Sequence, residues 1–173
     1  SSLTKKAMLR SHEIRILVTG GTFDKSYDSL TGQLTFKTSH VRDILDQVRC
    51  KQATTLETVM LKDSLNFAPG DREKICHRCL QCPESRVLIT HGTDTMVETA
   101  RMIGARNRDK TVILTGAMIP VTVMNSDAQF NLGFAFSAVQ ALPPGVYIAM
   151  NGKIFTWDNV RKNTQLGEFQ TLD

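Results

Sequence analysis

The chain has 173 residues, with 21 Lys and Arg against 17 Asp and Glu, which gives a formal net charge of +4 at pH 7. At about 150 residues per domain, this length predicts one domain with one well-packed core. A hydrophobic fraction of 41% and a charged fraction of 22% are ordinary for a globular protein and exclude a mainly disordered chain. The sequence holds no apolar run of about 18 residues, so it predicts no membrane-spanning helix.

The charges are spread along the chain without long runs of one sign, so we expect neither a nucleic-acid partner nor a membrane partner. Residues 1–13 lack the apolar segment of a secretory signal, and we interpret them as an N-terminal extension or an expression remnant. Four cysteines are too few for a disulfide scaffold. The sequence therefore predicts a reduced, cytoplasmic protein.

Short apolar runs rich in β-branched residues alternate with segments whose apolar residues recur at helical spacing. The predicted strands are 14–19, 54–61, 86–90, 111–115, 146–150 and a short added strand at 153–156. The predicted helices are 40–48, 71–80, 95–105 and 127–142. The last two each begin with a capping box, Thr95 with Glu98 and Ser126 with Gln129. The polar segment 22–36 predicts a hairpin or flexible flap, and the polar tail after 156 holds no predicted element.

This alternation predicts a single α/β domain over residues 14–173. Strands that alternate with helices favour an open, mostly parallel sheet with helices on both faces, of the flavodoxin or Rossmann-like type. The sequence shows no internal repeat and no linker that would divide it.

Three predicted strands end in small and hydroxyl-bearing residues, with TGGT at 19–22, THGTD at 90–94 and TGA at 115–117. Ligands of open parallel sheets bind outside the carboxyl ends of the strands, so these three edges predict a pocket for a small polar ligand. One such motif alone is typical of an ordinary βα turn, which needs a tight bend and a helix cap. Three of them, one with an aspartate, favour a site.

The sequence disfavours both a nucleotide cofactor and a bound metal ion. The glycine pair at 20–21 is followed by neither a third glycine nor a helical pattern, and the chain has no phosphate-binding P-loop. Cys76, Cys79 and Cys82 resemble part of a metal-ligand set, but they fall on a predicted helix with no second ligand pair. We interpret them as structural thiols and expect no metal or organic cofactor.

Nucleophilic catalysis by a threonine is a further possibility. A threonine hydroxyl needs a base, and a lysine serves as one when burial and neighbouring groups depress its pKa. Asp94 would orient such a lysine or bind substrate, or it would only interact with the dipole of the following helix. Spacing alone does not choose between these roles.

The motifs together resemble the bacterial-type L-asparaginase and glutaminase family. The matching segments are TGGT at 19–22, HGTDT at 91–95, TGAMIP at 115–120, DAQFNL at 127–132 and VRKNT at 160–164. The resemblance covers nearly the whole chain. It implies an amidohydrolase that converts the side-chain amide of asparagine, or of a related small amide, into the acid and ammonia without a cofactor.

The resemblance also implies the catalytic residues. Thr22 matches the nucleophile that attacks the amide carbon. Thr93, Asp94 and Lys162 match a hydrogen-bonded group that supports proton transfer, and Asp94 would also hold the substrate α-ammonium.

The implied substrate-binding residues come from the same motifs. Ser64 matches the residue that binds the substrate carboxylate. Backbone N–H groups near Gly21 and Gly92 would help to bind substrate, and those around Thr93 would face the developing oxyanion.

The sequence departs from the family pattern in the flap, beside Ser64 and at the C-terminal side. Alignment on Gly32 puts Gln33 where the family has its flap tyrosine, and Tyr27, nearby but offset, is the candidate flap assistant. Leu65 stands where the family often has a polar residue. The family's smaller C-terminal domain, which completes the site across a subunit interface, has no counterpart in this sequence.

Two hypotheses about function follow. One is a compact amidohydrolase that closes its site by self-association into a dimer or a larger oligomer. The other is a weakly active or inactive domain that binds a small amino-acid-like ligand or a protein partner.

Overall fold

The structure is a computed structural model that describes residues 12–173, so most of the predicted extension at 1–13 lies outside the described residues. The strands are β1 (Ile14–Gly20), β2 (Ser26–Asp28), β3 (Gln33–Thr35), β4 (Thr54–Lys62), β5 (Arg86–Thr90), β6 (Thr111–Thr115), β7 (Gly145–Met150), β8 (Lys153–Thr156), β9 (Arg161–Asn163) and β10 (Glu168–Gln170). The helices are α1 (Val41–Gln47), α2 (Asp71–Gln81), α3 (Met96–Arg106) and α4 (Ala128–Ala141). Two short 3₁₀ turns, Thr22–Asp24 and Ser64–Asn66, follow β1 and β4.

Six strands form the central sheet in the order β4-β1-β5-β6-β7-β8. The first five are parallel, and β8 is antiparallel to β7. This arrangement confirms the predicted open, mostly parallel sheet. Every residue of β6 is buried, because helices cover both faces of the sheet and leave neither face exposed to solvent.

Side chains that alternate along each strand divide the core into two layers. Leu17 and Ile89 belong to the layer that packs against α2 and α3, whereas Ile16 and Leu88 belong to the layer that packs against α1 and α4. Among residues 12–173 no helix is long and apolar enough to cross a membrane.

The cysteines of α2 and the residue after it lie in the first of these layers. Cys76, Cys79 and Cys82 are buried and carry free thiols. Burial raises the pKa of the Cys79 thiol, because a thiolate would lose its solvation there. The structure thus places these residues as small hydrophobic groups, in agreement with their interpretation as structural thiols.

The predicted capping box of Thr95 and Glu98 is wrong. Thr95 does precede α3, but its side chain caps no backbone N–H of that helix. Its hydroxyl donates a hydrogen bond to the carbonyl of Ser64 and accepts one from Arg72. Contacts with distant segments therefore replace the local cap.

The predicted capping pair of Ser126 and Gln129 is half right. The Ser126 hydroxyl accepts a hydrogen bond from the N–H of Ala128, the first residue of α4, and donates to the carbonyl of Ile119. Gln129 makes no return bond to Ser126 in the described part of the chain, and Asp127, which directly precedes α4, caps no N–H of the helix.

Two hairpins stand outside the central sheet. Strands β2 and β3 form the predicted flap hairpin, while β9 and β10 form a second hairpin in the tail, where no element was predicted. Phe169 on β10 is only 4% exposed and packs into the core, so it anchors the tail hairpin to the domain. Lys162 lies directly opposite Phe169 on β9.

The two helical glycines give a matched test of packing. A Cβ at Gly104 in α3 would overlap the indole of Trp157, whereas a Cβ at Gly133 in α4 would meet no atom within 4 Å. We expect Gly133→Ala to raise the free energy of unfolding by about 0.5–1 kcal/mol, because alanine favours helix over glycine. Gly104→Ala should lower it by about 1–3 kcal/mol, because the indole must move.

Urea unfolding followed by circular dichroism measures both changes. A Gly104→Ala protein as stable as Gly133→Ala would contradict the packing of Trp157 on α3.

Candidate functional site

Apart from Lys162 and Tyr27, the predicted site residues lie at the carboxyl ends of β1, β4 and β5. The chain leaves β1 for β4 on one side and then returns to β5 on the other side of β1. Open α/β sheets bind ligands at such a switch point, because the loops there diverge and leave a crevice. Thr22 follows β1, Ser64 follows β4, and Thr93 and Asp94 follow β5.

Gly21 and Gly92 bring these three loops into direct contact. Gly21 has a φ of 78°, and a Cβ on it would overlap the backbone of Gly92. A Cβ on Gly92 would lie 2.9 Å from the Ser64 hydroxyl oxygen. The Gly21 N–H donates to the carbonyl of Lys62 over 2.9 Å, which ties the first loop to β4. Both glycines are therefore required by loop packing, beyond the substrate-binding role expected from the sequence.

Lys162 joins Thr93 and Asp94 in one hydrogen-bonded group. Its Nζ lies 2.8 Å from Thr93 Oγ1 and 2.9 Å from Asp94 Oδ1. The Lys162 side chain is 14% exposed and that of Asp94 is 46% exposed, so the lysine is covered while the carboxylate faces solvent. An amine held between a hydroxyl and a carboxylate is well placed for proton transfer.

Thr22 begins the 3₁₀ turn after β1 and is half-buried. Within residues 12–173 its hydroxyl makes no hydrogen bond, so it is available to a ligand. Sequence reasoning missed Asp24, which is buried in the same turn and accepts hydrogen bonds from the His40 N–H at 2.8 Å and the Ser39 hydroxyl at 3.3 Å. Burial raises the pKa of Asp24. This carboxyl ties the turn of Thr22 to the start of α1.

Tyr27, the candidate flap assistant, lies on β2 and is 63% exposed. Its hydroxyl makes no hydrogen bond to Thr22 or to any other residue in the described part of the chain. The flap is fastened by other groups. The Ser26 hydroxyl lies 2.9 Å from His40 Nε2, and Lys25 forms a 2.8 Å ion pair with Asp63, directly before Ser64.

Ser64 is 3% exposed, and its hydroxyl oxygen accepts a hydrogen bond from the Thr95 N–H over 3.0 Å. No described residue accepts from this hydroxyl, so its hydrogen can be donated to a ligand anion.

His91, the first residue after β5, is completely buried. Its Nδ1 lies 2.7 Å from the Gly92 carbonyl and therefore carries the hydrogen, since a carbonyl only accepts. Its Nε2, 2.7 Å from the Thr99 hydroxyl, accepts. Burial lowers the pKa of His91 to about 4, so the ring is neutral at pH 7. Sequence analysis named His91 only as part of a motif, and no local pattern indicates that its ring is held between Gly92 and Thr99.

The low pKa of His91 predicts a pH-dependent stability. The unfolded chain binds a proton below the ordinary value of 6.5, while the folded chain excludes it down to about 4. We therefore expect the free energy of unfolding to fall as the pH drops through this window, since protons then favour the unfolded state. Urea titrations at successive pH values measure the slope. His91→Gln should flatten it and His77→Gln, at an exposed site, should not; an unchanged slope in His91→Gln would contradict this assignment.

Within the described residues no group of three or more His, Cys, Asp or Glu side chains is arranged to hold a metal ion. The site instead offers hydroxyls, one lysine, one carboxylate and backbone N–H groups. Such a set binds and polarises a small zwitterionic or amide-bearing molecule by hydrogen bonds and charge.

Known proteins share this arrangement of strands and motifs. A family model described as Asparaginase, N-terminal, matches residues 13–171. L-asparaginase 2 of Escherichia coli strain K12 is 30% identical over 184 residues, which cover 96% of this chain and 51% of that protein. The L-asparaginase of Thermococcus kodakarensis is 29% identical over 169 residues, which cover 93% of this chain and 51% of that protein.

Two solved structures agree with these matches. The probable cytoplasmic L-asparaginase from Campylobacter jejuni superimposes with a TM-score of 0.79 at 31% identity, over 93% of this chain and 53% of that one. The thermostable L-asparaginase from Thermococcus kodakarensis gives a TM-score of 0.76 at 31% identity, over 92% of this chain and 51% of that one. The chain thus spans about half the length of the curated relatives it matches. With this sheet order, these strand-end motifs and a family match along almost its whole length, the chain belongs to the asparaginase family and corresponds to its N-terminal domain.

Proposed function

We propose that the chain is an amidohydrolase that converts the side-chain amide of L-asparagine, or of a related small amide, into the carboxylic acid and ammonia. The observation that carries the proposal is the group formed by Lys162, Thr93 and Asp94 beside the loop of Thr22. The relatives named L-asparaginases support the same class of reaction.

The two charged groups of an amino-acid substrate each find a partner in the crevice. Ser64 presents a hydroxyl hydrogen that suits a carboxylate, and the bond from the Thr95 N–H to its oxygen holds the hydroxyl in place. Asp94 uses Oδ1 for Lys162 and has Oδ2 to pair with an α-ammonium group. A donor for an anion and an acceptor for a cation on one crevice match the two charged ends of an amino acid.

The chemistry uses Thr22 as the nucleophile. Its oxygen forms a bond to the amide carbon and gives up its proton, and backbone N–H groups around Gly92 and Thr93 stabilise the oxyanion. The carbon–nitrogen bond then breaks, and the amide nitrogen leaves as ammonia with the proton. Water attacks the Thr22 ester and releases the acid, while Lys162 and Thr93 relay the protons. The proposed cycle needs no metal or organic cofactor.

Ammonia release from L-asparagine, L-glutamine and other small amides tests this proposal. We expect Thr22→Ala to abolish release and Thr22→Ser to retain part of it, because serine keeps the hydroxyl. Lys162→Met should lower the rate by about 10²–10⁴-fold, the usual contribution of a positioned acid or base. Lys153→Met serves as the matched control, since Lys153 is an exposed lysine on β8 outside the site.

Undiminished release by Thr22→Ala would overturn the assignment of the nucleophile. Binding of L-asparagine without any ammonia release from the wild type would overturn catalysis and favour the second hypothesis, a ligand-binding domain. Calorimetric titration of L-asparagine separates these outcomes.

We further propose that the active form is a homo-oligomer, a dimer or larger. Asp94 is 46% exposed and Leu65, next to Ser64, is 70% exposed, so the crevice is open to water in the single chain. Exclusion of water strengthens every charge interaction of such a site, and a second copy can provide it. Light scattering during size-exclusion chromatography should give at least twice the mass of one chain, and an active monomer would contradict the proposal.

A further inference from the structure

We propose that Arg72, a residue of α2, is a positioning residue that holds Ser64 and the loop of residues 91–95 in the geometry required for substrate binding. The inference rests on the proposed function. Arg72 is half-buried, and its Nη1 lies 2.6 Å from Thr99 Oγ1, 3.2 Å from Thr95 Oγ1 and 3.2 Å from the Thr95 carbonyl oxygen. None of these atoms belongs to a residue expected to contact substrate.

The first branch from Arg72 leads to Ser64. Because the guanidinium can only donate, Thr95 Oγ1 accepts from it and turns its own hydrogen toward the Ser64 carbonyl, 3.4 Å away. The Thr95 N–H reaches the Ser64 hydroxyl oxygen over 3.0 Å. Thr95 thus clamps Ser64 at two points, and Arg72 fixes the side chain that makes the clamp.

The second branch leads to the backbone beside Thr93. Thr99 Oγ1 accepts from Arg72 and therefore donates to His91 Nε2, 2.7 Å away. His91 Nδ1 donates in turn to the Gly92 carbonyl. Each hydrogen bond on this path is therefore donated in the same direction, from Arg72 to Thr99, from Thr99 to His91 and from His91 to Gly92. A permanently charged donor at the start of the chain sets that direction, because an arginine does not lose its proton.

Phe67 joins the two branches through its ring. The Arg72 guanidinium carbon lies 5.2 Å from the Phe67 ring centroid, and the same ring meets the His91 imidazole edge-on at 5.2 Å. A planar guanidinium stacks on an aromatic face while its N–H groups remain directed sideways, which a lysine cannot reproduce. The arrangement therefore requires arginine in particular, and not only a positive charge.

The expected effect falls on substrate binding. Without Arg72 the Thr95 clamp loosens, and the Ser64 hydroxyl no longer meets the substrate carboxylate at a fixed position. Thr22 and Lys162 make no hydrogen bond to Arg72. We therefore expect the larger effect on KM, a rise of about tenfold, which is the usual effect of losing a well-placed hydrogen bond to a charged group. We expect a smaller fall in kcat, because the second branch reaches the Gly92 carbonyl but neither Thr22 nor Lys162.

Arg72→Met and Arg72→Lys test the proposal, with Arg78→Met as the matched control. Arg78 is a half-buried arginine on the same helix whose partner is Glu57, at 2.7 and 3.0 Å, away from the site. We expect the KM for the hydrolysed amide to rise about tenfold in Arg72→Met and by less in Arg72→Lys, and to be unchanged in Arg78→Met.

A second measurement does not depend on activity. Hydrogen exchange by NMR reports the Thr95 amide, which donates to Ser64, against the Leu88 amide of the central strand β5. Arg72→Met should speed exchange at Thr95 about tenfold without changing Leu88, and Arg78→Met should leave the ratio unchanged. If the wild-type protein hydrolyses no amide, the proposed function fails, and this exchange ratio alone decides whether Arg72 positions Ser64.

An unchanged exchange ratio in Arg72→Met would overturn the positioning role, and so would an equal rise of KM in Arg78→Met.

Discussion

The site depends on backbone lying directly against backbone where three parallel strands end. Gly21 packs on Gly92, and Gly92 packs on Ser64, with no room for a methyl group at either glycine. The candidate site residues Thr22, Ser64 and Thr93 lie directly beside these contacts, on loops that follow neighbouring strands of the sheet about 4.8 Å apart. Lys162 is different, because it comes from the tail hairpin and contacts Thr93 through the end of its long side chain.

The parts of this molecule that could be predicted are those in which local pattern and burial agree. Strands β5 and β6 match the predicted ranges because short β-branched runs covered on both faces leave a clear signal. The meeting of the TGGT and HGTD segments at one edge of the sheet followed from the rule that parallel sheets bind ligands at their carboxyl ends, whereas the choice of Thr22 and Thr93 came from the family resemblance. Lys162 followed from the family resemblance alone, because β9 and β10 are three-residue polar strands held by the single buried side chain of Phe169.

The parts that could not be predicted are those in which distant contacts outcompete local ones. Thr95 and Glu98 have the spacing of a capping box, yet the Thr95 hydroxyl is hydrogen-bonded to Ser64 and Arg72, which lie 31 and 23 residues away along the chain. Asp24 lies two residues after Thr22, but its partners belong to the start of α1. A capping signal is worth about 1 kcal/mol, and a buried network that needs the same hydroxyl easily overrides it.

The order in which the parts of the site occur along the chain has a consequence during synthesis. All six strands of the central sheet precede Lys162, which belongs to a separate hairpin that is hydrogen-bonded to none of them. A growing chain on the ribosome can therefore complete its sheet and bury most of its core, all but the part closed by Val160 and Phe169, before the lysine meets Thr93 and Asp94. The nascent protein therefore passes through a stage in which the sheet is folded but Lys162 is not yet bonded to Thr93 and Asp94, and assembly of this hydrogen-bonded group is a late event.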